Sequence, residues 1–310
     1  MITSSDLATQ WSTRFETLFR AQYNQSVIAT EAEIRRWCME ATLGDNQGDT
    51  LQFDWLGAAP QMREWTDEKR PAGLNKFDWD VKVRDYEASI EIRLNALQDA
   101  KGDIYSPRIQ EMAENAARLP FNLINDLIVA GTTELCYDGQ YFFDNDHSEG
   151  DSGTQNNLLD GTGTSLAQIT SDFYTAKAAL MGFKDDKGEP LFPSDFRPLV
   201  VIPNSGTMVE RWNTLRAANL VGGGNSNLLQ NQFDLLVNPK WTDANDWCMF
   251  RLDRPMKPFI RVNRQDPVYR DNFDSKSDDV FKRKIGLASV EARCAMTYGL
   301  WQCAVKVVNG

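Results

Sequence analysis

Histidine is almost absent from this chain. His147 is the only imidazole in 310 residues, which excludes two-histidine zinc sites and HExxH metalloprotease chemistry. A serine–histidine or cysteine–histidine mechanism has to use that one ring or not exist. No CxxC pair occurs. Cys38, Cys136, Cys248, Cys294 and Cys303 are odd in number and widely spaced, so they read as free thiols in a reducing compartment. No apolar run approaches the roughly 18 residues of a membrane-spanning helix. The opening MITSSDLATQW has neither the basic nor the apolar part of a signal peptide. Basic residues are also short: 33 Lys and Arg against 44 Asp and Glu leave a net charge of -11, the wrong sign for a protein that coats nucleic acid. From Leu119 to Ala176 there is no Lys or Arg, while nine acids from Asp126 to Asp172 carry -9 of that charge. A surface made from this stretch repels DNA.

What is present is an ordinary globular composition, 42% apolar and 25% charged. That excludes a disordered chain, a collagen, a coiled-coil rod and a disulfide scaffold. The length suits two domains or one elaborate one, with enough core to need no disulfide or metal.

The pattern predicts an amphipathic helix over 4–24, with Trp11, Phe15, Leu18 and Phe19 at helical spacing, and a second helix over 31–40. Residues 50–94 switch to period two: Leu51, Phe53 and Trp55, then Phe77, Trp79, Val81 and Val83, then Ile90, Ile92 and Leu94. This reads as strands flanking a long hairpin, and a two-stranded arm is marginal alone in water. Ser106-Pro107 predicts a capped helix running to Gly131 and bent at Pro120. Tyr141, Phe142 and Phe143 follow an Asp138-Gly139 turn, a hairpin signal. The polar, Gly-rich tract 148–164 is expected to be a mobile loop or a domain crossing.

Ser165 to Gln168 fits a capping box, and Leu166 to Phe183 a helix. A buried strand at Leu199–Ile202, a helix through Trp212, a GGGN loop (222–225) and strands at 233–237 and 247–252 suggest a sheet with helices on it. The tail is β. A phase change between Phe281 and Met296 predicts a bulge near 286–289. It also places Lys282-Arg283-Lys284 on a strand edge.

Chemistry-bearing motifs are thin. Asp144-Asn145-Asp146-His147 offers carboxylates to a hard cation, but neither the Gly nor the Glu of an EF-hand follows, so a solvated turn is the simpler reading. Gly161-Thr162-Gly163 lacks the third glycine of a dinucleotide fingerprint. Trp11, Phe15 and Leu18, with Trp65, Phe77 and Trp79, are candidates for contacts with another subunit. They sit on a terminal helix and an extended hairpin that the sequence supplies with little local cover.

WLGAAPQMREW (Trp55–Trp65), DIYSPRIQEMAENAA (Asp103–Ala117), CYDGQYFFDNDH (Cys136–His147) and AMTYGLWQCAVKV (Ala295–Val307) resemble, in their order and spacing, the major head subunit of Mu-like phages, the gpT family. The resemblance runs from about Leu51 to the C-terminus. It implies an α+β Hong Kong 97-type capsid fold: an N-terminal arm (1–50), an E-loop hairpin with flanking strands (51–100), and a peripheral (P) domain. That P domain spans 101–162, with spine helix 106–131, and is completed by 255–310; an axial (A) domain spans 163–254. It also implies a structural protein of the virion, not an enzyme, with no cofactor, no metal and no membrane. Its copies would assemble in the host cytoplasm into pentamers and hexamers around non-specifically held DNA. Portal, scaffold or protease, and decoration proteins would be its partners. No signature of a fused scaffolding domain precedes Leu51. Two other readings stay open: an encapsulin-like cellular shell, and a cation-dependent hydrolase using Asp144, Asp146 and His147.

Overall fold

The computed structural model describes residues 4–44, 48–56, 76–99, 101–192, 194–221, 224–274 and 277–310. The chain opens with helix α1 (Ser4–Trp37), one continuous helix where the sequence suggests two. The stripe of Trp11, Phe15 and Phe19 resumes at Ile34 and Trp37, so one helix serves both apolar segments. Strand β1 (Cys38–Thr42) follows directly. Strands β2 (Thr50–Leu56) and β3 (Lys76–Lys82) form an antiparallel ribbon, with Phe53 opposite Trp79 and Trp55 opposite Phe77. Next come β4 (Arg84–Arg93), α2 (Leu94–Gln98), a tight 3-10 turn (Gly102–Tyr105) and the long α3 (Ser106–Ala130).

Ser106 does not cap α3. It is already helical, and its hydroxyl is buried without a hydrogen-bond partner. The turn that precedes it feeds the helix in its place. α3 runs through Pro120, which is buried. Gly131 ends it, but not by a left-handed turn: its φ is -61°. The constraint is space, since a Cβ there would lie 2.5 Å from the ring of Phe143.

Strand β5 (Leu158–Asp160) comes next. Helix α4 (Leu166–Gly182) begins at the expected capping box, Ser165 with Gln168. Strand β6 (Leu199–Pro203) is buried throughout, and α5 (Gly206–Ala217) crosses from it to β9. The short pair β7 (Leu220–Val221) and β8 (Asn225–Ser226) precedes β9 (Asp234–Asn238) and β10 (Trp247–Phe250). The tail holds β11 (Phe259–Asn272), α6 (Asp278–Arg283), β12 (Ile285–Tyr298) and β13 (Ala304–Val308).

Two main sheets result. One has the order β1-β11-β12-β4 and the other β5-β13-β10-β6-β9. The last strand thus lies among elements of 158–250, not beside β11 and β12. The bulge expected at 286–289 is absent, because β12 pairs with β4 without interruption from Ile285 to Cys294. The irregularity sits in β11, between Asn263 and Val268. The phase change has another cause: Phe281 belongs to α6, Leu287 faces outward, and Gly286 to Cys294 bury only the even positions. Lys282 and Arg283 accordingly end a helix and do not edge a strand.

The apolar interior has two parts. The main core gathers Trp37, Trp212, Trp247 and Trp301 around the five-stranded sheet. A satellite core collects Trp11, Phe15 and Phe19 with Ile92, Ile109 and Phe273.

The acidic stretch is the main departure from expectation. Asp138-Gly139 does turn, with Gly139 at φ +86° and the Cys136 N–H donating to Gln140 O at 2.7 Å. The ladder stops at one Leu135–Tyr141 bridge, because Phe142 and Phe143 turn into the core. The tract expected to be a mobile loop or a domain crossing is wired in place. Asn157 donates to Phe142 O (2.8 Å) and accepts from Asp144 N (2.8 Å), while Gln155 holds both backbone groups of Lys184. Glu149, 5% exposed, accepts from the Tyr137 hydroxyl, Trp301 Nε1 (2.9 Å) and Gln302 Nε2 (3.0 Å). The polar side chains of this tract satisfy one another and the local backbone, as burial demands.

Burial pushes the Glu149 carboxyl above its ordinary range, against the lowering pull of its three donors. A raised folded-state value means that its contribution is fully present below the ordinary carboxylate pKa and is lost as pH rises through the folded value. Glu149→Gln should therefore abolish part of the stability loss that urea titrations record as pH rises above the ordinary carboxylate range. Glu149→Ala should cost about 3 kcal/mol by orphaning the Trp301 and Gln302 donors. Gly131→Ala should cost about 1–3 kcal/mol in the same assay, by collision with Phe143.

Candidate assembly surfaces

Trp11 and Phe15 are covered by their own chain. The Trp11 indole donates to Leu97 O at 3.2 Å, and a Cβ on Gly102 would lie 2.6 Å from its ring. Phe15 is fully buried and meets Phe273 edge-on at 6.2 Å. Leu18 packs half-buried on the same cluster. The terminal helix has little local cover, as expected, but it is covered from a distance. The cover comes from residues 92–113 and 269–290, a separation in sequence that no local pattern reveals.

The ribbon is also rooted in its own body. Trp79 is half-buried against the main core with Leu51 and Phe53, and its Nε1 donates to Thr297 Oγ1 at 3.3 Å. Phe77 stands opposite Trp55 in the ladder. Among the described residues, β2 and β3 pair with no other strand. Trp65 lies outside the described residues.

Ile28 of α1 is 80% exposed, and other exposed apolar side chains lie elsewhere. Leu220 and Leu228 are 60% and 68% exposed and bracket the β7–β8 turn. Asn227 stiffens the base of that turn by donating to Leu215 O (2.7 Å) and Ala218 O (2.8 Å). Burial within the chain does not explain these two exposed leucines, which makes them a candidate contact point. Their sequence signal was faint: a leucine on each side of the GGGN tract. Leu135 and Tyr141 form a smaller exposed pair.

The acid-only stretch is not one uniform charged wall. Asp138, Glu149 and Asp172 turn inward, with Asp172 accepting from the N–H and hydroxyl of Thr162, both at 2.9 Å. Asp126 pairs with Lys240 at 2.7 Å. Glu134, Asp146, Asp151 and Asp160 remain exposed.

Asp144, Asp146 and His147 do not converge. The Asp144 carboxylate accepts from Tyr141 N and Asn145 N, and Asp146 faces solvent. His147 is sealed, its Nδ1 2.6 Å from Asp138 and its ring stacked on Trp301 at 4.0 Å. Among the described residues no three His, Cys, Asp or Glu side chains are placed to hold a metal, and no helix is long and apolar enough to cross a membrane.

Comparison with known proteins places this architecture. The chain is similar to the Mu-like prophage FluMu major head subunit of Haemophilus influenzae, with 23% identity over 253 residues; the match covers 81% of this chain and 59% of that protein. It resembles the procapsid of bacteriophage JBD30 at a TM-score of 0.54 and 19% identity, over 95% of this chain and 73% of that one. It resembles a virus-like particle from Pyrococcus furiosus at 0.55 and 9% identity, over 96% and 99%. The fold is thus the α+β fold of Hong Kong 97-type capsid proteins. Residues 13–170 and 240–309 match the family described as Mu-like prophage major head subunit gpT, and the chain belongs to that family.

Proposed function

We propose that this chain is a major capsid protein whose copies close into the pentamers and hexamers of an icosahedral head shell around phage DNA. The family match carries this reading, because it runs through strands of both main sheets and the ribbon base. The virus-like particle from Pyrococcus furiosus is as similar in fold as the phage procapsid, so fold alone does not separate a phage head from a cellular shell. The family match favours the phage head.

In this reading α1 is the N-terminal arm and the β2–β3 ribbon the base of the E-loop. α3 is the spine helix of a P domain that includes the four-stranded sheet. The A domain is built on the five-stranded sheet, from 163–254 with β13 added. The Leu220–Leu228 turn is its tip, facing the capsomer axis. Contacts of this kind are heterologous and must close; unclosed, they give tubes or sheets. Modest contacts then multiply through avidity. The exposed acids of 134–160 face inward and leave the packaged DNA free of electrostatic traps. The role is structural, without catalytic residues or cofactors. Portal, scaffold or protease, and decoration proteins complete the virion, which assembles in host cytoplasm.

Negative-stain microscopy of the purified chain tests the whole reading. Closed shells are expected; a monomer that persists at high concentration would overturn it. Leu220→Asp with Leu228→Asp should leave the thermal midpoint within about 2 °C, since both side chains are exposed. The same pair should abolish closed particles in light scattering. Normal particles would remove this turn from the contacts.

A further inference from the structure

Strand β4 is the outermost strand of the four-stranded sheet. It is ten residues long and pairs with β12 on one side without a bulge. Two amides show where its other side points. The Leu94 N–H continues the ladder to Lys284 O at 3.0 Å, whereas the neighbouring Arg93 N–H turns away and meets the Tyr105 hydroxyl at 3.4 Å. Backbone groups alternate sides along an antiparallel strand. The even positions of β4 therefore bond to β12, and the backbone groups of Asp85, Glu87, Ser89 and Glu91 face outward along the edge. Among the described residues no strand takes them up. Ala88 and Ser89, whose side chains lie on opposite faces, are both exposed, so the middle of the edge is open from above and below. An edge of this length is a template for another strand.

The side chains decide which strand fits. The odd positions present Asp85, Glu87, Ser89, Glu91 and Arg93 on one face, all exposed. Asp85 is tied to Arg293 of β12, but among the described residues Glu87, Glu91 and Arg93 take part in no ion pair. We propose that β4 pairs antiparallel with β4 of a second copy of this chain, across a two-fold axis of the shell centred on Ile90. Each Glu87 then lies opposite the partner subunit's Arg93. The inference rests on the shell reading above and names one contact between its capsomers. The charges set the register. With Ile90 on the axis, Glu87 meets Arg93 on both sides and Ser89 meets Glu91. An axis at Ser89 sets Glu87 against Glu91, one at Ala88 sets Asp85 against Glu91, and one at Glu91 sets that carboxylate against its own copy. Like charges directly opposite destabilise a strand pair and opposite charges support it, so one register is favoured and its neighbours are rejected. The other face agrees. Ile90 meets Ile90 and Ala88 meets Ile92, which extends the apolar face that Ile90 and Ile92 turn to the satellite core. A two-fold contact needs a self-complementary patch, and this edge is one. The same charges keep it from pairing with unrelated strands.

Charge reversal with rescue tests the pairing in the full-length chain. Arg93→Glu sets carboxylates opposite each other at every such axis. It should cut the yield of closed particles about tenfold in light scattering, since the weakened contact recurs across the lattice. Its thermal midpoint should match the parent's, because Arg93 is exposed. Glu87→Arg combined with Arg93→Glu restores opposite charges only between chains, as the two residues lie too far apart on one strand to meet. That double variant should return to the parent yield. Normal particles from Arg93→Glu alone, or no recovery in the double variant, would overturn the pairing while leaving the shell reading intact. A second readout uses one new cysteine per chain, against native cysteines that are all buried. Ser89→Cys chains are mixed with Glu91→Cys chains, assembled and oxidised. Covalent dimers should appear from the particles, and particles without them would likewise overturn the pairing. Failure of the parent chain to form particles would instead sink the shell reading.

Discussion

Burial of α1 at both ends is the constraint on which the rest of the structure depends. At 1.5 Å per residue a helix of 34 residues reaches about 50 Å, and its apolar positions fall into two groups. Ile34 and Trp37 close the main core, where Trp37 meets Phe250 and Phe259. Trp11, Phe15 and Phe19 close the satellite core formed by β4, α2, α3, β11 and β12. The four-stranded sheet is thus held by both ends of the same helix, and its strand β1 is the direct continuation of that helix. Nothing in the middle of α1 has to be buried for this to work.

The five-stranded sheet solves a different problem. Its strand β13 comes last in the chain yet lies between β5 and β10, so the sheet is incomplete until the C-terminus arrives. Polar contacts hold it there. Lys306 and Asp246, both buried, pair at 3.1 Å, and Asn309 donates its N–H to Asp246. Glu149 and His147 reach Trp301 from the acidic tract. Such contacts define register more than they add net stability, because burying a charge has a desolvation cost that a well-placed partner only offsets. Rigid layers of this kind suit a shell subunit, which must present fixed surfaces to many identical neighbours.

Residues that resembled partner surfaces in the sequence are largely inside, and those left outside were inconspicuous. Trp11 and Phe15 carry far more apolar area than Leu220 and Leu228, and area is what draws a side chain into whatever cover the fold supplies. Leucines on a turn anchored by Asn227 have no cover within reach and stay exposed. Likewise, the polarity of 148–164 suggested a mobile loop, yet Asn157, Gln155 and Glu149 are there to satisfy buried groups. Polarity marks a loop only when its side chains face water.

By itself the sequence determined the local elements: the stripe of α1, the alternating strands of the ribbon and tail, the Ser165–Gln168 cap, the turn at Asp138-Gly139. Each depends on periodicity or on the stereochemistry of a few adjacent residues. It also carried the family resemblance, through the order of short motifs. Only the tertiary structure decided that α1 is one helix with two homes, that β13 enters the middle of the far sheet, and that the irregularity falls in β11. It also decided which apolar and acidic side chains see water. Those outcomes depend on contacts between residues up to hundreds of positions apart, and burial is a property of what arrives from elsewhere in the chain.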